Sequence, residues 1–168
     1  MLGTILAGLI VRDLRTLERE LEAYPSEESV WLTPPGIANS AGTLALHLVG
    51  NLHHFIGAQV GGSGYIRDRD AEFTTRDASR SELARLVDGA IAMVDATMPA
   101  LTEEQLAEPY PIEVAGVRVR TDDFLVHLAV HLGYHLGQVD YHRRLVAAPG
   151  TVGAMAVPDL ATARRIGE

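Results

Sequence analysis

The chain of 168 residues contains no cysteine, and although 14 of its residues are basic, none is lysine: all 14 are arginine. Without thiols there is no disulfide framework, no thiolate zinc site, no iron–sulfur cluster and no cysteine nucleophile. Without lysine there is no Schiff-base chemistry and no phosphate-binding loop ending in Gly-Lys-Ser/Thr. Positive charge is also in deficit, with 22 acidic residues giving a net charge of -8. That balance argues against nucleic-acid binding, which needs a basic footprint, and against a polybasic membrane surface. No run approaches the ~20 apolar residues that span a bilayer. The first eleven residues are uncharged, but neither a basic segment before them nor a small-residue cleavage site after them marks a signal peptide. The expected location is therefore the cytoplasm.

What is present is helical periodicity. With 47% hydrophobic and 21% charged residues, the chain has enough apolar surface for one core. Leu2, Ile5, Leu9, Leu14, Leu17, Leu21 and Tyr24 recur at helical steps in a first helix over about 2–24, ended by Pro25. Residues 40–60 carry no Asp, Glu or Arg, which predicts a second helix buried on most sides and stopped by Gly61, Gly62 and Gly64. A polar segment comes next. Ser79 and Glu82 have capping-box spacing and open a third helix with Leu83, Leu86, Val87, Ala90, Ile91, Val94 and Met98 as its core stripe. Thr102 and Gln105 form a second box. Alternation over 112–120 around Ala115-Gly116 predicts a short β-ribbon. Thr121, with Asp122 and Asp123 after it, is the expected N-cap of a fourth helix running to about Ala147 and ended by Pro149-Gly150. The expected architecture is all-α: a four-helix bundle over 1–150 with a short β-ribbon before the last helix, and a tail over 151–168 packed on the bundle or fraying from it.

The histidines stand apart. His47, His53 and His54 lie in the second helix and His127, His131, His135 and His142 in the fourth, so all seven occupy the two most apolar helices. Residues four apart on a helix are offset by ~40° and rise ~6 Å, so His127/His131 or His131/His135 can chelate one ion. The outer two are ~12 Å apart, too far to share an ion with bonds near 2.1 Å. A further ligand has to come from elsewhere, and His47 is the candidate with most room around it. Asn51 shares its face, and His54 lies ~10 Å further along the helix. The glutamate of a His-Glu-x-x-His motif is missing from residues 131–135, and Glu-x-x-His pairs of di-iron bundles are missing too. Three imidazoles suit zinc, nickel, iron or copper and leave coordination positions open, as in catalytic sites.

Two segments carry a resemblance. His131-Leu-Gly-Tyr-His135-Leu-Gly137-Gln138 is similar to the HxxxHxGQ signature of the DinB-like superfamily, and Asn39 to Asn51, with His47 and Gly50, resembles that family's second-helix segment. Arg67-Asp68-Arg69-Asp70-Ala71-Glu72-Phe73 resembles a loop of one subgroup. The resemblance covers the chain from the first helix to about residue 147. It implies a four-helix bundle in an unusual helix order, a homodimer in many members, and a divalent ion, zinc or nickel foremost, held by His47, His131 and His135. Among characterised relatives are transferases and isomerases that use a low-molecular-weight thiol.

Gln138 lies close in angle to His131 and, like Asn51, is expected behind a ligand or in the pocket beside it. Gly133 and Gly137 flank His135, where they let a partner helix or ligand approach. Arg67, Arg69 and Arg76 with Asp68, Asp70 and Asp77 read as a solvated surface network, the alternative being a site for a substrate's carboxylate. Trp31 before Pro34-Pro35 is expected to plug the bundle end. No side chain is identified as catalytic, and roles for His54, His127 and His142 stay open. The expected function is a metal-dependent enzyme acting on a small molecule, a thiol S-transferase or metal-assisted hydrolase. The alternative is a non-enzymatic protein that binds a metal or small ligand.

Overall fold

Alternation of buried and exposed positions sets the first helix. In the computed structural model, which describes residues 2–146, 150, 152, 156–160 and 162–164, α1 spans Leu2–Glu22. Its buried stripe is Leu6, Ile10, Leu14, Leu17 and Leu21, with Tyr24 just beyond. This differs from the expected stripe at its start: Leu2 and Leu9 are half-buried and Ile5 is exposed. Every residue there is uncharged, so periodicity had no polar side to mark the register.

The second helix, α2 (Ala41–Leu52), is buried nearly all round. Ser40 caps it, accepting from the Thr43 N–H at 3.2 Å. The expected continuous helix to residue 60 instead changes pitch: His53–Ala58 form a π-helical turn in which the Gln59 N–H reaches back to the His54 carbonyl, 3.1 Å. Such turns leave carbonyls over, and that of Phe55 accepts from the Tyr110 hydroxyl at 2.6 Å. The polar segment contains a short helix, α3 (Arg69–Thr74), capped by Asp68.

Both predicted capping boxes form, opening α4 (Arg80–Thr97) and α5 (Glu103–Ala107). On α4 the buried positions are Leu83, Val87, Ala90, Ile91 and Val94, with Met98 just beyond, while Leu86 stays half-buried. Trp31 is partly buried and its indole N–H donates to the Ala78 carbonyl, 3.2 Å.

The expected ribbon is not a ribbon: the described residues contain no strand, only two isolated antiparallel bridges, Val114 with Val117 and Pro109 with Arg120. Ala115 and Gly116 both have positive φ, 50° and 78°, and form a tight turn of the hairpin kind. The ladder stops there because the arm from Pro109 to Val114 is two residues longer than the arm it faces, and Pro111 has no N–H to offer. The last helix, α6, is Thr121–Val146. Thr121 is not its cap but its first residue. The Phe124 N–H bonds to the Arg120 carbonyl, and the Thr121 N–H goes to Glu108. Pro149, the expected stop, lies outside the described residues, as do 151, 153–155, 161 and 165–168 of the expected tail.

The fold is all-helical. Both α1 and α2 pack against α4 and against α6, and each fully buried aliphatic side chain between them contributes roughly 1.5–3 kcal/mol. No helix among the described residues is long and apolar enough to cross a membrane. Two buried polar contacts tie α6 to the end of α1. Arg143 pairs with Glu20, their side chains 3% and 4% exposed, which is tolerable only because each charge has a partner. His142 donates from Nε2 to the Leu32 carbonyl at 2.8 Å and accepts at Nδ1 from the Tyr24 hydroxyl at 2.6 Å. His142 is thus a structural residue.

Burial pushes the His142 pKa below the ordinary histidine value, with the bond to Leu32 acting in the opposite direction. The folded state keeps this ring neutral, whereas the unfolded chain takes up a proton near pH 6.5. Its contribution is therefore present above that pH and is lost as pH falls towards the folded pKa, at no more than about 1.4 kcal/mol per pH unit for one proton. His142→Gln keeps one donor and one acceptor but does not titrate. Urea unfolding of the metal-free protein between pH 7 and 5 should show a shallower loss of stability in this variant than in the parent chain.

Candidate metal centre

Helix α2 has no charged residue to turn towards water, and its His47 faces α6 across a buried seam. His47 is 8% exposed there. Its ring lies 5.3 Å from that of His131 and 5.3 Å from that of His135, while those two are 4.5 Å apart, centroid to centroid. One nitrogen from each of the three falls within 4.8 Å of the others. Of the two pairs that spacing allows on α6, His131/His135 is the one facing His47.

His131 Nε2 and His135 Nε2 are 3.1 Å apart. Two nitrogens bound to one ion at ~2.1 Å are separated by about 3.0 Å at a right angle and about 3.4 Å at the tetrahedral angle. The observed separation therefore fits a shared cation. Proton positions agree. Gln138 Oε1 lies 2.6 Å from His135 Nδ1 and, as a carbonyl oxygen, can only accept. His135 thus carries its proton on Nδ1 and presents a lone pair at Nε2. Helical angle alone placed Gln138 nearest His131, but three residues along the helix it reaches His135 instead.

Electrostatics favour neutral rings. Burial pushes the His131 pKa down to about 4, with His135, His47, His127 and Arg67 adding smaller effects of the same sign. Burial likewise lowers the His47 pKa, opposed by Glu72. Both rings are unprotonated near pH 7 and available as ligands.

Behind His47 stands a pair of residues that sequence reasoning had not joined to the site. Glu72, on α3 and 6% exposed, places Oε2 at 3.0 Å from His47 Nδ1. Arg67 grips the same carboxylate twice, Nε to Oε1 at 2.6 Å and Nη2 to Oε2 at 2.8 Å, and its Nη2 lies 3.3 Å from His47 Nδ1. The guanidinium rests 5.7 Å above the Phe55 ring. Arg67 is therefore part of a buried pair rather than a surface network. Arg69 leans on Phe73, 4.9 Å away, whose ring is 5.1 Å from that of His47. A local signal accompanied the resemblance of the loop over 67–73: Asp68 caps the start of α3, the helix that carries Glu72.

Asn51 is buried, as expected for a residue sharing the His47 face, but its Oδ1 has no hydrogen-bond partner among the described residues. His54 Nδ1 and His131 Nδ1 are in the same condition. His53 packs on Tyr65, 5.2 Å between rings, and His127 stacks on Phe124 at 5.8 Å. Neither joins the three-histidine cluster.

Further along α6, reached through Gln138 and lined by none of the three histidines, lies a cleft of about 430 Å³ bounded by Ile37, Asn39, Leu44, Gln138, Tyr141 and Leu145, among others, none of them charged. Gln138 belongs to both: it lines the cleft and holds His135.

A crystal structure of a DinB-like protein from Bacillus cereus ATCC 10987 is similar to this chain, with a TM-score of 0.63 and 18% identity over 83% of this chain and 90% of that one. At that identity the likeness speaks to the fold alone. Comparison with curated proteins gave no match. The family model described as the DinB superfamily matches residues 10–139. That span contains α2, α3 and all three clustered histidines, and on it the chain belongs to the DinB superfamily.

Proposed function

We propose that this protein is a metal-dependent enzyme on a four-helix bundle of the DinB type, holding one divalent ion, zinc or nickel, on His47, His131 and His135. The observation that carries the reading is the convergence of three imidazole nitrogens, two of them 3.1 Å apart. A bound divalent ion would act as a Lewis acid and lower the pKa of a coordinated water or thiol. With three protein ligands, the donor set is that of open catalytic sites rather than closed structural ones. Gln138 orients His135, and the apolar seam around His47 excludes bulk water.

The uncharged cleft next to Gln138 suits the neutral, mainly apolar part of a small substrate, with the Asn39 and Gln138 amides available to orient it. A thiol S-transfer or a metal-assisted hydrolysis fits this arrangement. Because the chain has no cysteine, any reacting sulfur is brought by a low-molecular-weight thiol cosubstrate.

The partner for the outer face of α6 is a second copy of the chain. Val126, Val130, Tyr134, Tyr141 and Leu145 are exposed along this helix. On the same side, Gly133 and Gly137 have open space where a Cβ would stand, with nothing closer than Asp13 at 3.8 Å. A mid-helix glycine costs about 1 kcal/mol against alanine, and no close packing among the described residues accounts for these two. Asp123 at one end of the stripe and Arg144 at the other make an antiparallel pairing attractive and a parallel one repulsive. Pairing each residue with the one whose number sums with it to 267 puts Tyr134 against Gly133, Val130 against Gly137 and Asp123 against Arg144 of the second copy.

Two measurements test these proposals. Elemental analysis of the purified protein should give one ion per chain, and His131→Ala should abolish it; a mutant still holding one ion per chain removes the assignment. For the dimer, Tyr134→Cys, adjacent to the proposed two-fold axis, should form a disulfide-linked dimer on mild oxidation, whereas Ile66→Cys, more exposed but off the stripe, should not. A parent chain that sediments as a monomer at micromolar concentration would refute the pairing.

A further inference from the structure

The Glu72 carboxylate is buried, and nothing forces it there. It lies on a six-residue helix in a polar segment, where solvent is the more favourable surrounding for a charge. Three features instead build a place for it. Both of its oxygens receive N–H groups from Arg67, and Arg67 is held in turn on the face of Phe55. Asp68 caps α3 by accepting from the Ala71 N–H at 2.9 Å, which fixes the turn that aims Glu72 inward. Gly50, three residues after His47 on α2, leaves the room: a Cβ there would collide with Glu72 Oε1.

The remaining contact of that carboxylate is with His47 Nδ1. An ionised carboxylate only accepts hydrogen bonds, so a separation of 3.0 Å is favourable only if Nδ1 carries the proton. With the proton on Nε2, two lone pairs would face one another in a buried site. Arg67 Nη2 has a second N–H, 3.3 Å from Nδ1, which would favour the opposite tautomer; the Glu72 contact is the shorter of the two, and it alone would set two lone pairs together if Nδ1 had no proton.

We propose that Glu72, clamped by Arg67, is the positioning residue that fixes His47 in the Nδ1–H tautomer and so directs the free Nε2 lone pair at His131 and His135. The assignment rests on the metal reading for its purpose but not for its geometry. It makes the three imidazoles unequal. His47 is backed by a carboxylate, His135 by the neutral Gln138 amide, and His131 by no group among the described residues. Hydrogen bonding to a carboxylate raises ligand basicity most, so His47 is the strongest donor of the three.

The tautomer can be read without any metal. Long-range proton–nitrogen correlation spectra of ¹⁵N-histidine-labelled, metal-free protein at pH 8, with His47 assigned by its loss in His47→Gln, should show Nδ1 protonated. In Glu72→Leu the His47 signals should move to the Nε2–H pattern, and Gly50→Ala, which displaces the carboxylate without removing it, should shift them the same way. Glu72→Gln, which keeps an accepting oxygen, should retain the Nδ1–H tautomer. Zinc affinity, measured by competition with a chromophoric chelator, should fall roughly 10- to 100-fold in Glu72→Leu. The proposal is overturned if the parent protein shows Nε2–H at His47, or if the folded Glu72→Leu and Gly50→Ala variants leave the tautomer unchanged. Should Glu72→Leu not fold, the parent spectrum and Gly50→Ala decide. An Nδ1–H tautomer in a protein that takes up no zinc would sink the metal reading and leave the Glu72 assignment standing.

Discussion

Everything in the candidate site depends on the cost of bringing imidazole rings out of water between two helices. Helix α2 has no charged residue with which to turn a face to solvent, so its histidine and asparagine are buried, His47 in the seam with α6. A ring buried in this way resists protonation, which is why His131 is pushed down to about 4. Neutrality in turn means that each ring has one nitrogen with a hydrogen and one with a lone pair. The neighbours then choose which is which: an amide for His135, a carboxylate for His47. Ligand geometry is thus a by-product of desolvation and then of hydrogen-bond selection.

The same rule operates one and two turns further along α6, with a different result. His142 is as deeply buried as His47, but both of its nitrogens are satisfied by Tyr24 and Leu32, so it has no lone pair to offer. Arg143 next to it commits its charge to Glu20. The last helix therefore changes character along its length. Its middle carries lone pairs available for a ligand at His131 and His135, and its end carries satisfied groups that fasten it to α1.

How far the sequence could be read depended on whether contrast was available. Capping residues contrast with the helical turns they introduce, and both boxes, at Ser79 and Thr102, formed as expected. The start of α1 has no charged residue, so its buried stripe was misplaced by one position. The segment from Ile112 to Arg120 alternates like a strand, but two extra residues in one arm and the missing N–H of Pro111 are matters of pairing that one strand's pattern does not display. Spacing left His127/His131 and His131/His135 both open, and the resemblance to a known family chose the second; His47 was singled out by the room around it. Glu72 was not: a resemblance marked the whole run from Arg67 to Phe73, but within it only the cap at Asp68 and the vacancy at Gly50 distinguish this one acid. Those two act through three-dimensional fit. Gln138 was anticipated in kind but assigned to the wrong ring, since a three-residue step and a long side chain reach further than angle alone suggests.

The carboxylate behind His47 arrives on α3, a short helix outside the long ones, joined to α2 through Gly61, Gly62 and Gly64. The three histidines are set in helices that carry much of the core. Changes to the embedded set disturb packing throughout, whereas changes within residues 67–73 alter the electron density on one imidazole and little else. Capture and tuning are encoded in separate stretches of chain. Divergence can therefore adjust the tuning like an exchangeable cassette, on an architecture that stays constant.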